Sequence, residues 1–260
     1  MWRRAKIHMA EAKIGNDRDR DIISLAITAV DSMLYDTTSF PEWFKIGNFE
    51  PIHPEALTAA KVYYAKYLYA TGYALATKQL QIDGMQGLSL MSVLPLSIEP
   101  MISQALADRS IVAEIYLRMT CATIYHNVGR DSEASRHIDR AVALALPDRL
   151  YGLLAEYGRP LDTLLEQRLM SIDTQVYAEV KSLYKIYNAG WSRLSSSVRG
   201  KVITTTLTLK EREVAKLAAF GMSNPEIAKK LNMSLSVVKQ AIRITSEKTG
   251  VRRDEFAAIL

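Results

Sequence analysis

The chain has 260 residues, long enough for two domains with cores of their own. Its formal net charge is +5, and all of the excess lies in residues 201–260, which hold 11 Lys and Arg against 6 Asp and Glu, while the remainder balances at 22 against 22. A neutral body with a basic module points to a polyanion partner for that module only, and the single cysteine, Cys121, excludes an internal disulfide and a cysteine-rich zinc site and fits a reducing interior.

Residues 1–21, MWRRAKIHMAEAKIGNDRDRD, hold no continuous apolar core, so no signal peptide is expected. No stretch approaches the ~20 apolar residues of a membrane span, and a cytoplasmic location is expected. Ile22, Ile23, Ala26, Ile27 and Val30 form an apolar stripe at helical spacing, with Asp19 or Asp21 near its start. Ser39–Pro54 carries Pro41, Gly47, Pro51 and Pro54 and reads as a connection. Core packing under it is the ordinary reading of Trp43 and Phe44, and a ligand-facing role the alternative. Glu55–Leu80 reads as a long helix in which Ala residues alternate with Tyr63, Tyr64, Tyr67, Tyr69 and Tyr73. The alanines allow close helix approach, and the tyrosine rings are expected to fill grooves with their hydroxyls turned outward.

Gln86–Ser97 reads as an apolar helix stopped by Pro95 and Pro100, followed by a short helix over Met101–Leu106. Ser110–Asn127 and Ser132–Leu146 form a predicted helical hairpin around Gly129-Arg130-Asp131. Cys121, mid-helix among apolar residues, is expected to be a buried, inert thiol. Thr174–Trp191 is a final amphipathic helix, with Val176, Val180, Leu183, Tyr184 and Tyr187 on one face. The Ser/Thr-rich run that follows makes 191–206 the expected linker between a body over 1–190 and a module over 207–260.

The module reads as a succession of short helices, each with its own start signal. Thr208 with Glu211 is a capping box, and Ser223 with Glu226 repeats it, with Pro225 inside the first turn. Ser234 is a third candidate cap. Gly221 suits a left-handed helix end. Val214, Leu217 and Ala218, then Ile227, Ala228 and Leu231, then Val237, Val238, Ala241 and Ile242 repeat at helical spacing. Two helices joined by a short turn in this way are the layout of a helix-turn-helix, whose second helix lies in the DNA major groove.

This run resembles the LuxR-type DNA-binding domain, also called NarL- or FixJ-type. The matching residues are Leu207-Thr208, Glu211, Glu213-Val214, Gly221, Ser223-Asn224, Glu226-Ile227-Ala228, Leu231, Ser234, Val238-Lys239, Lys248 and Gly250-Val251. The resemblance implies a four-helix module whose third helix, about 235–248, reads bases. Base contacts would fall to Val238, Lys239 and Arg243 and phosphate contacts to Ser234, Ser236 and Lys248. It also implies a homodimer on DNA, with the fourth helix, Arg253–Leu260, as the pairing element. The sequence departs from the family at Val237, where Thr is usual, at Ala241, where His is usual, and at Thr245 and Thr249, where apolar residues are usual.

Upstream, Ala122, Tyr125, Gly129, Ala134, Ile138 and Ala141 are spaced as in a tetratricopeptide repeat. The stretch after them, with Gly158, Pro160, Leu161, Leu164 and Leu165, resembles the end of the helical-repeat sensor of MalT-like regulators. Those regulators carry an ATP-binding domain, and no G-x-x-x-x-G-K-[ST] run occurs here, so ATP control is not expected.

His8, His53, His126 and His137 share no metal-ligand spacing on one helix, and no nucleophile motif appears, so no catalytic, cofactor or metal residues are expected and no enzyme. The expected fold is all-α: a tetratricopeptide-like body plus a helix-turn-helix module. The expected function is a DNA-binding transcription regulator whose body senses a small-molecule or protein effector. The alternative is a protein-interaction scaffold with a degenerate or non-specific DNA-binding module.

Overall fold

The computed structural model describes residues 17–33, 37, 40–83, 86–195 and 207–260. These residues form helices and no strand. In the body they are α1 Asp17–Met33, α2 Glu42–Lys45, α3 Pro54–Asp83, α4 Gln86–Ala107, α5 Ile111–Asn127, α6 Asp131–Ala145, α7 Tyr151–Ala155, α8 Gly158–Ile172 and α9 Thr174–Ser195. The module holds α10 Leu209–Ala219, α11 Asn224–Lys230, α12 Leu235–Thr249 and a 3-10 helix, Arg253–Ala258.

The predicted α5–α6 hairpin forms as expected, turning at Gly129, whose φ of +78° only glycine adopts without strain. Ala122, Ala134, Ile138 and Ala141 are fully enclosed where the two helices meet, and Tyr125 packs at their edge. This core continues through Leu154, Leu161, Leu165 and Leu169 to Val176 and Val180 on α9. Leu183, expected on the same face, is exposed instead. A second core joins α3, α4 and α5 through Tyr69, Tyr73, Met91, Ile98, Leu117 and Cys121. Phe44, in a short helix inside the predicted connection, is fully buried among Phe40, Phe49, Tyr64 and Tyr67 in edge-to-face contacts.

Three expectations are corrected. Gln86–Ala107 is one helix that runs through Pro95 and Pro100. Met91, Ile98, Ile102 and Ala105 hold one face of it in the core on both sides of the prolines. That burial outweighs about 3 kcal/mol for each missing backbone bond and ring clash. Tyr69 and Tyr73 do not turn their hydroxyls outward. Both are buried, and Asn127 Nδ2 donates to the Tyr69 hydroxyl over 3.3 Å while Tyr73 donates to a carbonyl of the module. Finally, α9 extends through Ser195, into the predicted linker; residues 196–206 of that linker lie outside the described residues.

Candidate nucleic-acid interface

Each helix of the module starts where its cap places it. The Glu211 amide donates to Thr208 Oγ1 over 3.2 Å and the Thr208 amide donates to Glu211 Oε2 over 2.8 Å, which closes the first capping box. In the second, the Ser223 amide and hydroxyl both donate to Glu226 Oε2, at 2.7 and 2.6 Å. These two bonds hold the Glu226 carboxyl below its ordinary value of 4.5. On α12 the Val237 amide donates to Ser234 Oγ over 3.3 Å. Asn232 takes a left-handed conformation, φ 52°, in the turn between α11 and α12, a position asparagine tolerates.

The helices close on a core of Val214, Leu217, Ala218, Ile227, Val238 and Ala241. Phe256 of the 3-10 helix and Ile259 just after it point into the same core. The segment expected as a fourth, pairing α-helix is therefore a short 3-10 turn whose largest apolar side chains serve its own module.

The structure separates the six residues singled out for DNA. Lys239 and Arg243 stand one turn apart on the exposed side of α12, and Ser234 and Ser236 are exposed at its start, their hydroxyls 2.9 Å from each other. Arg243 Nη1 is paired with Glu247 Oε1 one turn further on. Val238 is fully buried in the core, where its side chain meets no solvent. Lys248 is buried as well: its Nζ donates to both oxygens of Glu211 at 3.0 Å. That pair ties the end of α12 to the start of α10. Thr245, at a usually apolar position, is enclosed with no hydrogen-bond partner on its Oγ1, while Thr249 donates to the Thr245 carbonyl over 2.7 Å. One leaves a buried hydroxyl uncompensated and the other does not.

Sequence reasoning missed the seam between module and body. Tyr73 of α3 donates its hydroxyl proton to the Leu207 carbonyl over 2.6 Å, and Arg159 Nη2 of α8 donates to the Lys248 carbonyl over 2.7 Å. Leu209, the first residue of α10, packs into the body core beside α3 and α5. No local pattern announces these contacts, because each partner lies far away in sequence.

Beside this seam lies a cavity of about 670 Å³. The body contributes His126, Asn127, Asp131, Asp162 and Thr163 to its wall, and α12 contributes Val237, Gln240, Ala241 and Ile244. Val237, expected in the module core, thus faces the body. His126 Nδ1 and Asp131 Oδ1 are 2.8 Å apart across the α5–α6 turn, which fixes that rim. Asp162 interrupts α8 with φ 42° and ψ −125°, a left-handed conformation that costs a non-glycine residue about 1–3 kcal/mol. Burial raises the Asp162 carboxyl above its ordinary value, with Lys248 opposing the rise.

Among the described residues no helix is long and apolar enough to cross a membrane. No curated protein and no solved structure matches the chain. One family does match a part of it: residues 205–259, which hold the capped helices, the exposed Lys239–Arg243 face and the 3-10 helix, match the bacterial regulatory proteins of the luxR family.

Proposed function

We propose that the chain is a DNA-binding transcription regulator in which α12 reads the major groove and the helical body gates the reader. The observation that carries this reading is the exposed pair Lys239 and Arg243, one turn apart on α12, in a segment that matches the luxR family. Two cations at that spacing reach adjacent guanine edges, while Ser234 and Ser236, beside the α12 N-terminus, suit phosphate oxygens. Val238 then acts by seating α12 in its module, and Lys248 by holding Glu211.

Gating follows from the seam. The major groove is about 12 Å wide, so a helix lying in it has a phosphate ridge along each flank. In the docked arrangement one flank of α12, with Val237 and Gln240, faces the body across the cavity. A duplex needs that flank clear. An effector in the cavity, whose size suits a small molecule, would shift the balance between docked and released reader by as much as it prefers one over the other. Two copies on paired half-sites complete the reading, by analogy with other helix-turn-helix dimers.

The test is selection of duplexes from a random library, followed by fluorescence anisotropy at two salt concentrations for the intact chain and for Lys239→Ala/Arg243→Ala. The reading expects a selected sequence, affinity that falls steeply with salt, and loss of sequence preference in the double variant. Weak binding that the double variant shares would sink direct readout by α12 and favour the interaction-scaffold reading.

A further inference from the structure

Glu99 on α4, Cys121 on α5 and His137 on α6 come from three consecutive helices of the body. A carboxylate oxygen, the thiol sulfur and an imidazole nitrogen of these residues lie within 4.8 Å of one another. The histidine is poorly satisfied as it stands. Its Nδ1 is buried with no hydrogen-bond partner, and its Nε2 is 3.6 Å from Glu99 Oε1, beyond a normal hydrogen bond. Stacking on Tyr125, with ring centroids 5.5 Å apart and 29° between planes, nevertheless fixes the ring. An imidazole held with a buried, unbonded Nδ1, beside an enclosed thiol and a carboxylate, leaves room for a partner that the three side chains can share.

We propose that Glu99, Cys121 and His137 bind a divalent transition metal of the zinc type. One sulfur, one nitrogen and one oxygen donor suit Zn²⁺ and disfavour Mg²⁺ and Ca²⁺, which take oxygen ligands. Three protein donors leave a fourth position for water on the side where Glu99 is exposed. In a tetrahedral zinc site the donors lie about 2.0–2.3 Å from the metal and so roughly 3.3–3.8 Å from each other. At its widest the cluster needs a contraction on the order of 1 Å.

Ligation takes a neutral imidazole and a thiolate. Binding replaces the S–H bond by a metal–sulfur bond and releases one proton to solvent; no electron moves. Thiolate and carboxylate together cancel the charge of the cation, so no net charge is buried. The bound ion would tie α4, α5 and α6 together, and α5 continues to His126 and Asn127 on the cavity wall. The site rests on the body alone and does not require the DNA reading.

The chain's single thiol makes the test decisive. The intact protein, stripped with chelator, is titrated with Co²⁺ and followed by absorbance. The proposal expects a thiolate-to-cobalt charge-transfer band that saturates at one equivalent, displacement by Zn²⁺, and release of about one proton per metal in weak buffer. Cys121→Ser and Cys121→Ala remove the band, and Glu99→Ala and His137→Ala each weaken binding by about tenfold or more. His53→Ala, in the connection before α3, leaves the titration unchanged. Circular dichroism on each variant separates loss of a ligand from loss of the fold. The proposal is overturned by the absence of the band in the intact chain, by its persistence without Cys121, or by Glu99 and His137 variants that bind as the intact chain does.

Discussion

The Tyr73 hydroxyl and the Leu207 carbonyl meet at 2.6 Å inside the body, so the chain lies in the body's own core immediately before the first helix of the module. Leu207 is fully buried, and Leu209 two residues on completes the same core. The module is therefore not simply tethered. Its first turn is part of the body's packing, and a change at α3 has a physical route to α12 through α10.

Tyr73→Phe tests that route. It keeps the ring and removes the donor, leaving the Leu207 carbonyl without its tyrosine. The expected cost is about 1–2 kcal/mol in urea unfolding of the intact chain. If the docked arrangement restrains the reader, the same variant binds a selected duplex more tightly. Unchanged stability would mean that the bond is not made in solution.

Glu211 and Lys248 form the buried pair that joins both ends of the reader, and Glu211 also closes the Thr208 capping box. Removing one partner strands a charge. Lys248→Met and Glu211→Gln are each expected to cost about 3–5 kcal/mol. The double variant should recover much of that, because neither group is then left alone. Urea unfolding of the four proteins closes the cycle; strict additivity would show that the pair is not coupled. A Lys248 that contacted phosphate from solvent would show up differently, as a shallower salt dependence of DNA binding with little change in stability.

What the sequence made legible is what is local. Thr208 with Glu211, Ser223 with Glu226, Ser234 and Gly221 announce helix ends because cap and capped group lie within a turn of each other. The α5–α6 hairpin was readable for the same reason. Tyr69 and Tyr73 defy the expectation of outward hydroxyls because their partners, Asn127 and Leu207, are distant in the chain, and spacing alone cannot tell a hydroxyl bound inside from one facing water. Pro95 and Pro100 do not stop the helix because the core holds α4 together, which local propensity does not register. The family motif raises a subtler difficulty. Val238, Lys239 and Lys248 all match it, yet Val238 and Lys248 are interior and Lys239 is exposed. A motif marks residues that matter to the fold and to the ligand alike, and only burial sorts them.

Glu226 gives a pH signature of the second cap. Its carboxyl is held below 4.5 by bonds from the Ser223 hydroxyl and amide. A folded pKa below the unfolded one stabilises the fold above the unfolded value, and the benefit is lost as pH falls through the folded value. The α11 start should therefore loosen only below pH 4.5. Ser223→Ala removes the hydroxyl bond and keeps the amide one, so the pKa should rise part of the way toward 4.5. Side-chain carbon shifts followed by NMR through an acid titration report it. A pKa that stays put in Ser223→Ala would show that the amide bond alone sets the shift.

Arg243 carries the most exposed test of the proposed reader, because in that reading Glu247 would compete with DNA for it. The two side chains pair across one turn of α12, and both are well exposed. Such a pair contributes little to stability, so Glu247→Gln should move the unfolding midpoint by no more than about 0.5 kcal/mol equivalent. Its effect on DNA is another matter. If α12 lies in the major groove, the carboxylate would stand beside the phosphate ridges, repel them and hold the guanidinium away from base edges. Neutralising it should raise affinity for a selected duplex by roughly threefold to tenfold at low salt, with the gain shrinking as salt is added. In an Arg243→Ala background the same change should give only the smaller, purely electrostatic part. Anisotropy on the four proteins measures both. Equal gains with and without Arg243 would show that the guanidinium does not read DNA, and a loss of affinity on removing Glu247 would place the duplex on another face of the module.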